Sequence, residues 1–586
     1  MELSPSALIV LRRRYLRRDE QRNVIETPGQ MFERVARAVA RADLIYSPTA
    51  NWEATASDFY DVMSGLEFLP NSPTLANAGT ELGQLMACFV LPIEDSLESI
   101  FDTLKHAAII QKSGGGTGFS FSRIRPKGDI VRSTMGIASG PISFLLIYDR
   151  MTEVIKQGSI RRGANMGILR VDHPDIIEFI TVKRDPRVLT NFNLSVAITD
   201  AFMTAVAADE EYDLINPRSG LVSRRLRARE VWDLIARMAW ETGEPGVIFL
   251  DRINRDNPTP LLGQMEATNP CSEQPLLPYE ACVLGSLNLA RMVKEQDGRV
   301  EVDYDKLGRR VELAVHYLDN IVDINRYPLP QIERLCKGNR KIGLGVMGFA
   351  DLLIKLGIPY DSPEALARAE DIMRFIRDRA RQASAALAEE RGVFPNFPGS
   401  IYDRPGGPRL RNATLTTIAP TGTLSIIANC SGGIEPLFAL SYIRRILEGE
   451  ELPQQLHPIF HAVAQRRSFA REPILQRVMQ QGTLRGIEEI PEDVRRIFVT
   501  AFDVAPEWHV RMQAAFQKYV DNAVSKTVNL PTEATVDDVR RVFDLAYELN
   551  CKGVTVYRYG SRPSQVLSVQ AYCLNCTGED GLPQER

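Results

Sequence analysis

Three side chains that can do chemistry together occur at alternate positions of one proline-rich stretch. Asn269, Cys271 and Glu273 are separated by single residues, and the surrounding prolines exclude a continuous helix. In an extended chain, alternate side chains point the same way, so the amide, the thiol and the carboxylate should share one side of a loop. They supply a hydrogen-bond donor, a sulfur reagent and a proton acceptor. The structural alternative is a surface loop with a buried cysteine, because free cysteine often serves as a small core residue.

The residues that follow extend this pattern. The run Asn269-Pro-Cys-Ser-Glu-Gln-Pro-Leu-Leu-Pro-Tyr-Glu-Ala-Cys282-Val-Leu-Gly-Ser-Leu-Asn288 resembles the active-site finger loop of ribonucleotide reductases, and most of all the class II, adenosylcobalamin-dependent members. The resemblance implies that Cys271 becomes a thiyl radical, that Glu273 accepts the ribose 3′-hydroxyl proton and that Asn269 holds the sugar. It also implies adenosylcobalamin as the cofactor. The family usually has glycine where this chain has Ser272, and glycine often marks an unusual φ.

Upstream segments match family positions that would face the same ribonucleotide substrate. Residues 87–92 are apolar on both faces and predict a short buried strand. Taken alone, Cys88 in this strand is a core cysteine, but the resemblance pairs it with Cys282 as the redox couple. The glycines of residues 113–118 predict a turn that enters a strand at 119–124 and permits close backbone approach. The resemblance implies substrate contacts at Ser72, Ala87 and Gly116.

A later turn predicts an anion site. Residues 420–425 follow an apolar strand pattern at 413–419 and open an apolar stretch typical of a helix. A strand, small hydroxyl and glycine residues and then a helix start present backbone N–H groups and the helix dipole to an anion. An ordinary capped helix is the structural alternative. The family uses this turn for substrate phosphates, so the resemblance implies contacts at Pro420, Thr421, Gly422, Thr423 and Leu424.

The resemblance also implies an allosteric site. Asp95, Arg125 and Arg132 match family positions that bind a specificity effector, which is a deoxynucleoside triphosphate or ATP. Arginine suits phosphate through its planar fork of donors. Residues 133–145 and 156–165 match two loops that relay effector identity to the substrate base. Because such loops often lie at a dimer interface in the family, a homodimer is expected.

The last residues carry a second sulfur pair, Cys573-Leu-Asn-Cys576. A lone C-x-x-C can be half of a zinc site, but no second close pair lies nearby, so no metal site is predicted. Near a chain terminus the pair is better interpreted as a redox shuttle. The resemblance implies that these thiols reduce the Cys88–Cys282 disulfide, and that thioredoxin or a similar reductant reduces them in turn.

Composition bounds the remaining function classes. The chain has 586 residues, of which 44% are hydrophobic and 25% charged, as in ordinary globular proteins. A net charge of -4 gives no polybasic signature, so nucleic acid is not an expected partner. Neither a signal peptide nor an apolar run long enough to span a membrane is present, so a cytoplasmic location is expected. The scattered cysteines Cys336, Cys430 and Cys551 are interpreted as structural.

The predicted architecture combines pattern and resemblance. Apolar residues at helical spacing predict a helical region over residues 1–65, with the arginines at 12–18 on a solvated face. Alternating strands and helices further on fit an α/β class. The resemblance implies a ten-stranded α/β barrel of two antiparallel five-stranded halves around a central finger loop. The barrel and its effector loops would occupy residues 66–562, and residues 563–586 would form a flexible tail.

The resemblance therefore predicts reduction of ribonucleotides to 2′-deoxyribonucleotides by a thiyl radical, with the choice of diphosphate or triphosphate left open. One alternative is a class I-type large subunit that receives its radical from a partner subunit through paired tyrosines, but Tyr557-Arg-Tyr559 is not an adjacent pair. Another alternative is a nucleotide-binding regulator that has lost the chemistry. The intact set of active-site and redox cysteines argues against it.

Overall fold

The N-terminal region is helical, as predicted. The computed structural model describes residues 2–131, 135–156, 163–445, 451–562 and 567–568. Thr27 and Gln30 form a capping box at the start of the second helix, and its apolar face is fully buried against the fourth helix. The helices of this region are α1 Pro5–Arg14, α2 Pro28–Ala40, α3 Asp43–Tyr46 and α4 Trp52–Ser64.

The next part of the chain alternates strands with helices. Five of its strands, β2, β3, β6, β7 and β10, lie side by side in that order, and all pairs are parallel. In chain order the elements are β1 Phe68–Pro70, α5 Ser72–Asn77, β2 Cys88–Leu91, α6 Leu97–Lys112, β3 Gly116–Ser120, β4 Ile130–Val131, β5 Gly136–Ile137, α7 Pro141–Lys156, β6 Asn165–Arg170, α8 Ile176–Thr181, β7 Phe192–Ile198, α9 Asp200–Ala208, β8 Glu211–Ile215, β9 Val222–Arg227, α10 Ala228–Thr242, β10 Gly246–Phe249 and α11 Leu250–Arg255.

The remainder supplies the second set of barrel strands and several outer helices. Its elements are β11 Ala267–Thr268, β12 Pro275–Leu276, β13 Ala281–Asn288, β14 Val293–Gln296, β15 Arg299–Val302, α12 Tyr304–Ile324, α13 Pro330–Asn339, β16 Ile342–Met347, α14 Phe349–Leu356, α15 Pro363–Arg391, α16 Leu424–Ala428, β17 Ile443–Arg445, β18 Glu451–Leu452, α17 Pro458–Arg466, α18 Glu472–Gln481, α19 Glu492–Ile497, α20 Pro506–Gln517, β19 Thr527–Leu530, α21 Val536–Glu548, β20 Gly553–Arg558 and β21 Leu567–Ser568. Short 3-10 helices occur at Val182–Arg184, Pro260–Leu262 and Leu289–Arg291.

The two strand sets close into a barrel. β13 and β16 pair in parallel, and so do β19 and β20. Extended residues 414–418 join these pairs through parallel bridges from Leu344 to Thr416 and from Ile418 to Val524. The halves meet at two antiparallel seams, β2 with β13 and β10 with β20. The predicted ten-stranded barrel of two oppositely running five-stranded halves is therefore confirmed.

A short hairpin, β11 with β12, occupies the barrel interior. A Cβ atom added to Gly118 of β3 would lie 1.7 Å from the carbonyl oxygen of Thr268, so only glycine lets the hairpin backbone pass this close to the wall. The glycine-rich residues were predicted to form a turn before a strand at 119–124. That boundary is wrong, because Gly116 and Gly118 belong to the strand itself.

The outer surface of the barrel is covered by helices, among which α12 packs on α15, and α20 on α21. Within the described residues, no helix combines the length and the apolar character needed to cross a bilayer.

Candidate active site

The hairpin in the barrel ends in a tight turn at residues 269–274. Its backbone is closed by the amide of Asn269, which donates to the carbonyl of Gln274 at 3.2 Å, and by the amide of Ser272, which donates to the carbonyl of Asn269 at 3.0 Å. The Asn269 side chain accepts a further bond from the Gln274 amide at 3.0 Å. An extended path was expected here, and the tip is a turn instead. Ser272 accordingly has φ 65°, the left-handed conformation for which the family's usual glycine is suited.

Both sides of the barrel hold this turn by its backbone. Asn193 of β7 donates from its side chain to the carbonyl of Pro270 at 2.8 Å. On the opposite half, the carbonyl of Glu273 accepts from the Thr417 hydroxyl at 2.9 Å and from the Ala523 amide at 3.0 Å. Polar groups inside a barrel need such partners, so these bonds fix the height of the turn within the barrel.

Burial separates the three side chains that were singled out in the sequence. Asn269 and Glu273 are each 2% exposed, whereas Cys271 between them is exposed. The turn therefore leaves the thiol at its tip accessible and keeps the amide and the carboxylate buried.

The second pair of cysteines lies on neighbouring antiparallel strands. Cys88 of β2 and Cys282 of β13 are direct partners in the register of the barrel seam. The Cα atoms of such partners are about 4.5–5.5 Å apart, which is within the range that a disulfide bridges. The side-chain amide of Asn269 donates to the sulfur of Cys88 at 3.2 Å, so the hairpin turn and the cysteine pair form one site.

The two sulfurs of this pair have different surroundings. Cys282 is completely buried, and its thiol donates to the carbonyl of Val283 at 3.3 Å and to that of Lys341 at 3.6 Å. Burial raises the pKa of Cys282 well above its usual value, since the thiolate would lose its hydration. A thiol with a raised pKa keeps its proton at neutral pH and is a poor nucleophile.

The upstream positions predicted to face substrate line the same region. The amide of Gly116 donates to the carbonyl of Ala87 at 2.9 Å, which joins β3 to the start of β2. A Cβ atom at Gly116 would lie 3.1 Å from the Cγ atom of Pro270. The glycine therefore lies against the tip of the hairpin, next to the cysteine pair.

The turn at residues 420–424 follows the extended barrel segment and precedes α16, as the sequence predicted. Thr421 has φ 51°, and its hydroxyl accepts a bond from the amide of Gly433 at 2.8 Å. Arg14 donates to the Thr423 hydroxyl at 3.0 Å, and Arg444 donates to the carbonyl of Gly422. Two guanidinium groups therefore lie beside this turn, and they suit an anionic ligand.

Helix α1 links two of the predicted substrate positions. Tyr15 shares a hydrogen bond of 2.8 Å between its hydroxyl and that of Ser72, while the preceding Arg14 reaches Thr423. The arginines at 12–18 were interpreted as a solvated face, which is wrong for Arg14, because it turns toward the barrel. Sequence analysis also missed Asn193 and Thr417. Both lie in strand-forming segments that contain other polar residues, so neither stands out in the sequence.

Two of the predicted effector residues form an ion pair. Asp95, immediately before α6, and Arg125, which follows β3, are 2.8 Å apart, and this carboxylate raises the pKa of Arg125. Several predicted positions lie outside the described residues. They are Arg132, parts of the two effector loops, Cys573 and Cys576.

Comparison with known proteins covers nearly the whole chain. The family model described as "Ribonucleotide reductase, barrel domain" matches residues 86–406 and 408–557, and "Ribonucleotide reductase, all-alpha domain" matches residues 1–83. This chain is a ribonucleotide reductase family member. The matched barrel residues include the finger hairpin, both cysteines of the seam and the turn at residues 420–424.

Two curated relatives of this reductase share about half of its residues. A protein of Thermoplasma acidophilum, named vitamin B12-dependent ribonucleoside-diphosphate reductase, is 48% identical over 641 residues, which cover 100% of this chain and 82% of the relative. A protein of the same name from Mycobacterium tuberculosis is 52% identical over 572 residues, covering 97% and 81%. Among solved structures, the Actinobacillus ureae class Id ribonucleotide reductase alpha subunit has a TM-score of 0.77 at 22% identity, covering 95% of this chain and 97% of the other, and supports the fold.

The strained turn of the reductase yields a stability prediction. Ser272→Gly should raise the free energy of unfolding by about 0.5–1 kcal/mol, because glycine adopts a positive φ without the clash of a Cβ atom. Urea unfolding of both proteins measures the difference. Ser272→Ala is the matched control, since it keeps the Cβ atom and should leave stability within roughly 0.5 kcal/mol of the parent. Equal gains in both variants would mean that the backbone at this position is not strained.

Proposed function

We propose that this chain reduces ribonucleoside diphosphates to 2′-deoxyribonucleotides in an adenosylcobalamin-dependent reaction. The proposal is carried by one observation, the antiparallel register that sets Cys88 opposite Cys282 while the finger hairpin contacts Cys88. The names of the two curated relatives support both the cofactor and the diphosphate form of the substrate.

In the proposed reaction, the exposed Cys271 acts first. As a thiyl radical it removes the 3′-hydrogen of a ribose held within about 3–3.5 Å of its sulfur. Glu273 accepts the proton of the 3′-hydroxyl, which helps the 2′-hydroxyl to leave as water. The burial of Glu273 keeps solvent from competing for that proton. Asn269 bonds the sugar and, in this structure, the sulfur of Cys88, so it can hold substrate and reductant in one arrangement.

The seam cysteines supply the reducing equivalents. Two thiols become one disulfide and deliver two electrons and two protons, which balances the replacement of a 2′-hydroxyl by hydrogen with release of water. Direct strand partners can form this bond without backbone movement. The high pKa of Cys282 fits this role, since a neutral thiol carries the hydrogen that has to be delivered.

The substrate would be held by its phosphates and its sugar. The turn of Pro420, Thr421, Gly422, Thr423 and Leu424 offers backbone amides and lies beside Arg14 and Arg444. Ser72, Ala87 and Gly116 would contact the nucleoside part near the hairpin tip. The end of helix α1 contacts Ser72 through Tyr15 and Thr423 through Arg14, so it would connect the sugar side of the substrate site with its phosphate side.

Two features of the chain fit a large cofactor. Cys271 is exposed, so its sulfur is reachable from outside the barrel. A cavity of about 600 Å³ adjoins the turn at residues 420–424, and Phe438, Tyr442 and Leu456 give it the apolar walls that suit a flat macrocycle. These cavity residues are the ones that would hold the cofactor. When bound, adenosylcobalamin supplies the radical that converts Cys271 to its thiyl form.

The alternatives are less well supported. A class I-type large subunit would need a partner subunit and a tyrosine path. Tyr557 and Tyr559 are separated by Arg558 and do not form an adjacent pair in the sequence. An inactive regulator would not need Asn269 in contact with Cys88, or a seam cysteine kept neutral by burial.

We also propose a homodimer that forms around the effector site. Helices α6 and α7 pack together, and their outer faces carry a group of exposed apolar side chains, Leu97, Phe101, Leu146, Ile147 and Val154. Such a patch is unusual on a monomer and suits a self-complementary contact. Asp95 precedes α6, and Arg125 lies in the connection between α6 and α7; together with Arg132 they would bind a deoxynucleoside triphosphate or ATP next to the partner subunit.

The tail, residues 563–586, completes the cycle in this proposal. Cys573 and Cys576 would attack the Cys88–Cys282 disulfide by thiol–disulfide exchange and pass the oxidation to thioredoxin or a similar dithiol protein. A reducing cytoplasm suits this exchange.

Replacing the exposed thiol tests the chemistry. Cys271→Ser should abolish nucleotide reduction in the presence of adenosylcobalamin, because a serine hydroxyl does not form a comparable radical. Turnover is measured with each ribonucleoside diphosphate and no second subunit. Cys551→Ala, which removes a buried thiol on the opposite half of the barrel, is the matched control and should retain activity. Substantial reduction by Cys271→Ser would refute the assigned role.

The tail thiols can be tested separately from the chemistry. Cys573→Ser should complete about one turnover when it is reduced beforehand, and then stop when thioredoxin is the only reductant. Product formed per enzyme in a quenched time course distinguishes the first turnover from later ones. The matched control is Cys551→Ala, which removes a buried cysteine without a proposed redox role. Sustained thioredoxin-driven turnover in Cys573→Ser would exclude the shuttle.

The dimer can be tested through its apolar patch. Phe101 is 47% exposed on α6, and Phe101→Arg should shift the protein from dimer to monomer in sedimentation velocity, because a desolvated arginine opposes the contact. Leu261→Arg changes an exposed apolar residue elsewhere and should leave the dimer unchanged. An unaltered dimer in Phe101→Arg, or a monomeric parent, would show that this face is not the interface.

A further inference from the structure

A buried ion pair lies next to the seam cysteines and has no part in the reaction described so far. The ammonium of Lys341 and the carboxylate of Glu280 are 2.6 Å apart, and each side chain is 1% exposed. Burying both charges is costly, and apolar residues of the same size would often serve stability equally well. Such a pair beside a reactive group is therefore a candidate for function.

The two charged groups of this pair differ in their number of hydrogen-bond partners. Glu280 is held from three sides, by Lys341, by the amide of Leu277 at 2.7 Å and by the side chain of Asn339 at 2.5 Å. The ammonium of Lys341, in contrast, has Glu280 as its one hydrogen-bond partner among the described residues. An ammonium carries three donors, so the carboxylate fixes Lys341 in place and leaves it with unused capacity for a second anion.

Cys282 is the group that this capacity would serve. Its thiol donates to the backbone carbonyl of Lys341, and the two residues lie at the start of the paired strands β13 and β16. Burial raises the pKa of Cys282, and the charge of Lys341 is the main influence that opposes this rise. The thiolate of Cys282, if it forms, therefore has one cation able to stabilise it.

Reduction of the seam disulfide requires such a thiolate. Both residues are buried, but Cys88 at 4% exposure is more accessible to an incoming thiolate than Cys282 at 0%. The attack forms a bond to Cys88, breaks the bond between Cys88 and Cys282, and leaves the electron pair on Cys282. The second thiol of the incoming dithiol then displaces Cys88, and the two protons that the dithiol gives up end on the thiolates of Cys282 and Cys88.

We propose that Lys341, oriented by Glu280, is a positioning residue that stabilises the thiolate leaving from Cys282 when the seam disulfide is reduced. This inference rests on the proposed function, because it requires that Cys88 and Cys282 form a disulfide during turnover. It assigns a direction to the exchange, with Cys88 attacked and Cys282 leaving. It also gives a reason for two buried charges beside a thiol that is otherwise kept neutral.

The test compares rate with equilibrium. The full chain carrying Cys573→Ser is oxidised by one turnover, and its reduction by dithiothreitol is followed by alkylation and mass spectrometry of the peptides containing Cys88 and Cys282. In this background the disulfides of Lys341→Met and Lys341→Gln should both be reduced at about one tenth of the parental rate, since both variants lack the charge. The equilibrium constant with dithiothreitol should change less than about threefold, because the product thiols are neutral in either case.

Two comparisons separate charge from packing. Lys341→Gln keeps a side-chain donor for Glu280, whereas Lys341→Met does not, so slowing in the methionine variant alone would assign a structural role and overturn the inference. Lys183→Met removes another lysine paired with a buried glutamate, 2.8 Å from Glu244, and should be reduced at the parental rate. Parental rates in both Lys341 variants would overturn the inference while leaving the proposed function intact. A parent that forms no Cys88–Cys282 disulfide after turnover would overturn both.

Discussion

The active site depends on holding the backbone of a hairpin inside a closed barrel. A loop in such an interior has no bulk water for its amides and carbonyls, so the barrel wall has to supply partners. It does so from both halves, through Asn193 on one side and Thr417 and Ala523 on the other. Because Glu273 is held by two separate segments of the second half, the turn cannot shift along the barrel axis without breaking bonds to both. These backbone hydrogen bonds therefore determine where the side chains of the turn lie.

The same constraint explains where glycines occur in the barrel. Cβ atoms at Gly118 and Gly345 would lie 1.7 Å from the Thr268 carbonyl oxygen and 2.2 Å from that of Thr417. The barrel is therefore too narrow to enclose a hairpin unless specific wall positions have no side chain. Gly345 belongs to a run that fits the dinucleotide-binding fingerprint literally, yet it lies within a barrel strand, where it admits the neighbouring extended segment. The pattern of glycines here reports packing and not a phosphate loop.

Local features were predictable from the sequence to different degrees. Apolar residues recur at helical spacing over residues 97–112, and helix α6 has these bounds. The strand containing Cys88 is buried on both faces as expected. The barrel itself came from resemblance, because its closure depends on pairings between residues far apart in the chain, such as Cys88 with Cys282. Contacts like that of Arg14 with Thr423, which are 409 residues apart, leave no periodic signal in either segment. The turn at Ser272 was missed for a different reason, since the alternation rule holds only while the chain stays extended.

In the proposed reaction the cysteines have different roles, and their burial matches these roles. A thiol that receives a radical from outside has to be accessible, and Cys271 at the tip is exposed. A thiol that delivers hydrogen has to remain protonated and shielded, and burial does both for Cys282. One hairpin and one strand seam meet both demands, because Cys271 is exposed at the tip while Asn269 contacts Cys88. The same burial makes the Cys88–Cys282 disulfide harder to reduce again. Its reduction passes through a thiolate, and a thiolate is unfavourable in an apolar interior. A chain organised in this way needs both a reductant that can reach Cys88 and a positive charge near Cys282, and Lys341 is the cation that the barrel interior provides there.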